Sequence, residues 1–489
     1  MNKKKIVLWG CGRRGEEAYS FLKKNNYEML AVIDNDLDLQ GTLWHGLSVI
    51  SFKDYVDSRD TLYAESLIII TPVECKAIVR ELQYCNIDNY SILNELMSEL
   101  YDNPMYMDQY NHDINHLQSR VYYELIKNFY EGLYLKGASL DDADPLQMLR
   151  KSRHIVISVG DEGIIDGCRF FTNGKVNGEY TDLLANDVDL IILHGLWKRY
   201  FAIKLSIEAA VKNISVIFNE DGFIRSILPH GMEGGEYEFI RSHSAIFDIN
   251  GIYLNARVPS GLECLLNSDQ EVSYNEILKA KKIIDKILIN KISKYNHQPI
   301  YTPDIGRIGA TKVLVIDQVN GDKAIAYGLA SENTFMEMLE AAVVENPNAD
   351  ILIKSHPQKS KGHYGDINQY SNVYFVDEPI NPISLLEYVD KVYVCTSQMG
   401  FEACMCGKEV HVFGMPFYAG WGITRDRLTC SRRTRRRNLV EVFYYAYMVY
   451  THYGSYKQNA ECDIDTCIDE LLEIRSRYFK ENSIRCDIK

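Results

Sequence analysis

A chain of 489 residues, 46% apolar and 25% charged, has room for about three domains and can bury full cores without disulfide or metal staples. Its formal net charge of −14 argues against bulk nucleic-acid binding, which needs many phosphate-neutralising Lys and Arg residues. The 12 cysteines are irregularly spaced, with no repeated CxxC pair, so they outline no zinc framework and fit a reduced, cytoplasmic setting.

The elements read in order as α/β throughout. A strand at Ile6–Trp9 enters Gly10, Gly12 and Gly15 of GCGRRG, and an amphipathic segment follows from Glu16 to Lys24. A second strand, Met29–Ile33, ends at Asp34, and a third, Leu67–Ile70, ends at Thr71-Pro72. This βαβ pattern predicts a Rossmann-like, nucleotide-binding-type domain over residues 1–100. The apolar run after MNKKK is too short for a signal peptide, and no stretch reaches the length of a membrane span.

Residues 101–150, rich in Tyr, Asn and Asp, read as a helical linker. Residues 151–305 read as a first lobe, with strands at 155–159, 190–193 and 215–218. A hairpin is expected at 246–249 and 251–254 around Asn250-Gly251, and a helix over 273–292. Residues 306–489 read as a second lobe, with strands at 313–316, 350–353, 373–375, 392–395 and 410–413. Its helices are expected at 332–345 and 400–406, with a helical close over 439–480. Two α/β units in succession predict a two-lobed enzyme with a ligand cleft between the lobes.

In the first domain the glycines permit a tight turn. The helix that follows presents free N–H groups to a phosphate, and Asp34 stands where a ribose hydroxyl is read. Three readings stay open: a non-catalytic or regulatory domain, a nucleotide ligand at Gly10, Gly12, Gly15 and Asp34, or a dehydrogenase. No catalytic Tyr-Lys pair supports the third.

Four further segments place polar groups at strand ends, where open α/β sheets bind ligands. They are NEDGFIRS (Asn219–Ser226), VIDQVNGD (Val315–Asp322), KSHP (Lys354–Pro357) and TSQMGFEA (Thr396–Ala403), the last running on into FGMPFYAGWGITRDR (Phe413–Arg427). Taken singly each has a plain structural reading. Glu220-Asp221 fits a helix cap, Asp322 a turn with Asn320-Gly321, and His356 an extended loop before Pro357.

Together with FDINGIYLNARVPSGLE (Phe247–Glu263) and SKYN (Ser293–Asn296), these segments resemble the capsule polysaccharide β-Kdo transferase family over roughly residues 190–460. The resemblance implies a single transferase module with a two-lobed GT-B-like fold. The activity it implies is retaining transfer of Kdo, or a related acidic ulosonic sugar, from a CMP-activated donor to a capsule or surface polysaccharide or glycolipid acceptor. After EDGFIRS the chain departs from the family's Gly-rich continuation, with Ile227-Leu228-Pro229-His230 instead.

Retention implies double displacement through a carboxylate. Asp322 matches the family's shared acidic position and is the expected nucleophile, with Asp317 as runner-up. Glu220 or Asp221, with Glu220 preferred, is the expected base. His356 and Lys354, with Pro357, are expected near the CMP phosphate. Ser397, Gln398 and Gly400 begin a helix whose N–H groups face it, and Glu402 is expected at the ribose hydroxyls. No metal or other cofactor is required; Asp187 and Asp189 fit a DxD spelling but precede their strand.

The run Arg432, Arg433, Arg435, Arg436 and Arg437 reads either as pairing with acidic groups in the fold or as a peripheral contact at the inner face of the cell membrane. Two other readings of the whole chain stand beside the transferase. One is a nucleotide-dependent oxidoreductase or epimerase built on the N-terminal domain. The other is a non-catalytic polysaccharide assembly protein.

Overall fold

The computed structural model describes residues 5–24, 27–64, 66–71, 78, 81–82, 85, 87, 89–92, 144–157, 162–173, 175–177, 188–195, 214–229, 232, 236–354, 363–364, 367 and 370–487. They fall into two compact units, one holding residues 5–92 and the other residues 144–195 and 216–487. The expected linker therefore lies outside the described residues up to position 143.

The first unit is one six-stranded sheet. Its strands are β1 (Lys5–Trp9), β2 (Glu28–Ile33), β3 (Leu43–Trp44), β4 (Leu47–Ile50), β5 (Leu67–Ile70) and β6 (Tyr90–Ile92), in the order β3-β4-β2-β1-β5-β6. All pairs are parallel except β3 with β4. The five parallel strands thus run third, second, first, fourth, fifth, which puts β1 at a topological switch point.

Both faces of β1 are covered, as a parallel sheet requires. Ile6 and Leu8 pack with Ala18, Tyr19 and Leu22 of α1 (Arg13–Lys24). Val7 and Trp9 pack with Tyr55 of α2 (Phe52–Ser58).

The second unit holds two sheets. The first contains β7 (His154–Ile157), β8 (Lys175–Asn177), β9 (Leu190–His194), β10 (Ser215–Asp221) and β11 (Ser244–Asp248). It is completed by β18 (Thr451–Ser455) and β19 (Ala460–Cys462), in the order β19-β18-β11-β10-β9-β7-β8. Its core gathers Ile155, Ile157, Leu190, Ile192, Ile217 and Phe247 with Leu149 of α3 (Pro145–Lys151) and Ile165 of α4 (Glu162–Arg169).

The second sheet is parallel throughout: β12 (Lys312–Ile316), β13 (Asp350–Lys354), β14 (Val373–Val376), β15 (Lys391–Val394), β16 (Glu409–Val412) and β17 (Arg425–Asp426), in the order β14-β13-β12-β15-β16-β17. β1, β5 and β12–β16 occur within a residue or two of the sequence expectation, because each is a short, mostly apolar run bounded by turn residues.

Two expectations are corrected. The hairpin around Asn250-Gly251 does not form. Residues 251–254 make no strand, and β11 pairs antiparallel with β10 and β18 instead. Asp248 draws the turn inward, accepting from the N–H groups of Asn250 (2.7 Å) and Gly261 (2.8 Å) and from the Tyr450 hydroxyl (2.6 Å). The loop is thereby folded onto the start of α5 (Gly261–Asn267).

The closing segment is also not wholly helical. After the capping box of α11 (Leu439–Phe443) comes one π-helical stretch, Tyr444–Tyr450, then β18 and β19, and only then the long helix Ile464–Glu481. Residues 451–462 thus return to the sheet of β7–β11. Edge pairing with β11 overrides the local helical pattern, as tertiary context does for strands of weak propensity. Gly454 permits it: a Cβ there would lie 2.2 Å from the Phe170 ring.

Candidate functional site

In the second unit the predicted segments converge where β10, β12 and β15 end. Phe223, just past β10, gives its carbonyl to the Gln398 side chain (2.8 Å). Gln398 opens α10 (Met399–Met405) and also donates to Glu402 (3.2 Å), which accepts the Ser293 hydroxyl at 2.7 Å. The Lys294 carbonyl then accepts from the Arg225 N–H (3.0 Å). NEDGFIRS, SKYN and TSQMGFEA are therefore one hydrogen-bonded junction, although they are far apart in the chain.

The Asp322 segment joins the same junction from the second sheet. Gln318 binds Thr396 twice, through its amide N–H to the hydroxyl and through its carbonyl to the Thr396 N–H (3.0 Å each). It also donates to one Asp322 oxygen at 3.3 Å. The other Asp322 oxygen caps α7 (Lys323–Tyr327), accepting from the Ala324 N–H at 2.9 Å. Asp322 is thus both the turn-and-cap residue of the plain reading and a half-buried carboxylate two hydrogen bonds, through Gln318, from Thr396, the residue preceding Ser397.

Asp317, the runner-up, is buried and committed elsewhere. It accepts from the His363 ring (2.6 Å) and the Gln318 N–H (2.9 Å). The other ring nitrogen of His363 lies 2.5 Å from Glu332, at the start of α8 (Glu332–Glu345). The ring stacks on Phe335 at 3.7 Å. Sequence reasoning did not single out His363; its only signal was its place in the loop after KSHP.

Glu220 and Asp221 diverge. Asp221 pairs with the Arg225 guanidinium at 2.7 Å. Burial raises its pKa, but Arg225, Lys294 and His194 outweigh this and hold it below the usual carboxylate range. Glu220 is 8% exposed, and its Oε2 has no hydrogen-bond donor among the described residues. A buried carboxylate oxygen left unpaired is costly and is found where a ligand or substrate completes it.

Glu402 is turned into the protein, 3% exposed. Burial pushes its carboxyl up to about 7, against the hydrogen bonds from Ser293 and Gln398. It ties the SKYN loop to the start of α10 rather than facing solvent. Lys354 lies at the end of β13, where its ammonium donates to the carbonyls of Val376 and Glu378 (3.3 Å each), and burial lowers its pKa. His356 and Pro357 lie outside the described residues.

The FYAGWG block is the junction's scaffold. Phe417, Tyr418, Ala419 and Trp421 are buried. Tyr418 donates to the Ser397 carbonyl (2.7 Å), fixing the turn into α10, whose first N–H group, Met399, points at the Ser397 hydroxyl (3.3 Å). Gly400 is where Tyr418 crosses the helix, and a Cβ there would lie 2.2 Å from its hydroxyl. The π-helical stretch brings Tyr447 against Phe223 (4.8 Å between rings) and Phe443 (4.7 Å). Such local widening recurs at functional sites.

The arginine run is absorbed by the fold. Arg432 and Arg433 both bind Glu263 (2.7 and 3.1 Å), and Arg433 also reaches the Pro416 and Ala419 carbonyls (2.6 Å each). Arg435 pairs with Asp269 (2.8 Å), and Arg437 binds the Leu266 and Ser268 carbonyls. Arg436 alone of the five is exposed without such a partner among the described residues. Of the two readings of this run, pairing within the fold is the one realised.

In the first unit, Gly10 (φ 111°) and Gly12 make the turn into α1. Gly15 packs so closely on it that a Cβ would stand 2.1 Å from the Gly10 carbonyl oxygen. Asp34 accepts from the Cys11 N–H (2.7 Å) and the Asp36 N–H (3.0 Å), so it braces the glycine turn from the end of β2. The four predicted residues are together. Among the described residues of the chain no cluster of His, Cys, Asp and Glu has the makings of a metal site, and no helix is long and apolar enough to cross a membrane.

Residues 189–305 and 306–458 match the model of the capsule polysaccharide biosynthesis proteins. The chain belongs to that family. Residues 2–93 match a separate family described as C2185-like, N-terminal. A capsule polysaccharide modification protein, LipA, of Neisseria meningitidis serogroup B is 39% identical over 285 residues, covering 56% of this chain and 40% of LipA. The lipopolysaccharide-processing protein LpsZ of Rhizobium meliloti is 35% identical over 253 residues, 50% of this chain and 56% of LpsZ. The chain therefore spans about half or less of these relatives. Among solved structures, the β Kdo 2,4 transferase of Thermosulfurimonas dismutans KpsC aligns with a TM-score of 0.59 and 34% identity, over 66% of this chain and 99% of that one. The junction of β10, SKYN and α10 lies inside the family match.

Proposed function

We propose that this family member is a glycosyltransferase with a two-lobed, GT-B-like catalytic unit. It would move Kdo or a related acidic ulosonic sugar from a CMP-activated donor to a capsule or surface glycan or glycolipid. The observation that carries the reading is the junction itself. The half-buried Asp322 is linked through Gln318 and Thr396 to the turn at Ser397-Gln398, and Gln398 binds the Phe223 carbonyl, three residues past Glu220, whose Oε2 has no donor among the described residues, in a chain 34% identical to a β Kdo transferase.

The chemistry assigned here is double displacement. An Asp322 oxygen attacks the anomeric carbon as the bond to the CMP phosphate breaks, giving a glycosyl ester and free CMP. The acceptor oxygen then displaces Asp322 while its proton passes to Glu220, and two inversions leave the configuration retained. Asp221, neutralised by Arg225, supports the charge of this wall rather than serving as base. Lys354 is held by carbonyls at the end of β13.

The first unit, with its switch-point strand order and glycine turn, is read as a Rossmann-like domain offering a nucleotide site at Gly10, Gly12, Gly15 and Asp34. Four of the five arginines of the run are paired within the fold, so the run lends no support to a membrane contact.

Incubation with CMP-Kdo and candidate acceptors, following CMP release, tests the activity. Asp322→Asn should lower the rate by at least a thousandfold while CMP still binds. A sugar adduct on Asp322, found by mass spectrometry in the absence of acceptor, supports the covalent step. An Asp322→Asn protein at full rate refutes the nucleophile.

A further inference from the structure

Lys294 is half-buried in the SKYN loop. Its backbone is fixed, because its carbonyl accepts from Arg225 and Ser226 (3.0 and 3.3 Å), and its neighbour Ser293 is bonded to Glu402. Its ammonium has no hydrogen-bond acceptor or ion-pair partner within reach among the described residues, although its charge acts on Tyr295, Tyr253, Asp221 and Glu220. Across from it Glu220, more than nine-tenths buried, has an oxygen without a donor among the described residues. Arg225, the other cation of this wall, is already used by Asp221, Ser226 and the Ile240 carbonyl.

The wall therefore lacks one acceptor, for Lys294, and one donor, for Glu220. The phosphodiester of a CMP-activated sugar carries one negative charge but supplies acceptors only, so it would answer Lys294 and leave Glu220 without a donor. A sugar acid supplies one carboxylate and several hydroxyls, which answers both needs with a single negative charge. We propose that Lys294 and Glu220 form the recognition point for the acidic sugar itself, with Lys294 taking its carboxylate and Glu220 accepting from a hydroxyl. This rests on the transferase reading above and assigns donor specificity to the SKYN loop rather than to the nucleotide side.

The test compares KM for CMP-Kdo with the inhibition constant of CMP, which has no sugar carboxylate, in the full chain. Lys294→Gln is expected to raise KM at least tenfold while leaving the CMP constant within twofold, and Lys294→Arg to restore KM to within about threefold of the wild type. Lys294→Met keeps the stem and carries the same comparison if the amide is not tolerated; the CMP constant doubles as the check on folding. An equal loss for CMP and CMP-Kdo would mean that Lys294 holds the phosphate, and an unchanged KM that it touches no ligand; either overturns the assignment. A wild-type protein that binds neither compound would instead remove the transferase reading, and this assignment with it.

Discussion

Replacing Glu402 by Gln isolates the cost of ionising the carboxyl that ties the SKYN loop to α10. The carboxyl is 3% exposed and accepts from Ser293 and Gln398, and burial raises it from the ordinary 4.5 to about 7. The folded state therefore keeps its proton after the unfolded chain has lost it. At about 1.4 kcal/mol per tenfold change in proton affinity, the folded protein should lose about 3 kcal/mol of stability from this group as pH rises from 4.5 to 7, and nothing further above that. A Gln amide oxygen can accept both hydrogen bonds without ionising. The variant should match the wild type near pH 4.5, where Glu402 is protonated, and exceed it by about 3 kcal/mol at pH 8. Urea unfolding followed at several pH values, with the two curves subtracted, cancels every other titrating group. Parallel curves from pH 4.5 to 8 would refute the reasoning, since they would mean that Glu402 ionises alike in both states.

Gly400→Ala should destabilise the second unit by about 2 kcal/mol, because its Cβ would press on the Tyr418 hydroxyl at 2.2 Å and on Val394 at 2.8 Å. Urea unfolding gives the stability change, and CMP binding should weaken in parallel as the Ser397 turn shifts. Arg433→Met removes one partner of a buried pair, leaves the Ala419 carbonyl without its donor and leaves the Pro416 carbonyl with the Ala419 N–H alone. A loss of about 3 kcal/mol is expected by the same measurement, at the low end for a broken buried ion pair because Arg432 still binds Glu263.

Much of this protein was legible in its chain. The apolar runs at β1, β5 and β12–β16 are short and bounded by turn residues, so their place and length followed from local composition. The glycine turn was legible for a similar reason: Gly10 needs its positive φ and Gly15 its bare Cα at fixed offsets from β1. Glu220 stood out as a polar residue at a strand end, a local signal, whereas Asp322 was singled out by the resemblance to the family.

What only the tertiary structure decided are the pairings between distant segments. Residues 451–462 are helical or extended according to whether β11 offers a free edge, which nothing within the segment reveals. The five arginines look alike in sequence, yet four are consumed by α5, its flanks and the FYAGWG block. Glu402 resembles an exposed ligand contact until Ser293, 109 positions away, is seen to donate to it. Glu220 and Asp221 are adjacent carboxylates that differ only because Arg225 reaches one of them. Strand propensity and turn chemistry act over a few residues. Burial and hydrogen-bond satisfaction act through space, and they determine which of the exposed-looking polar residues remain free to meet a ligand.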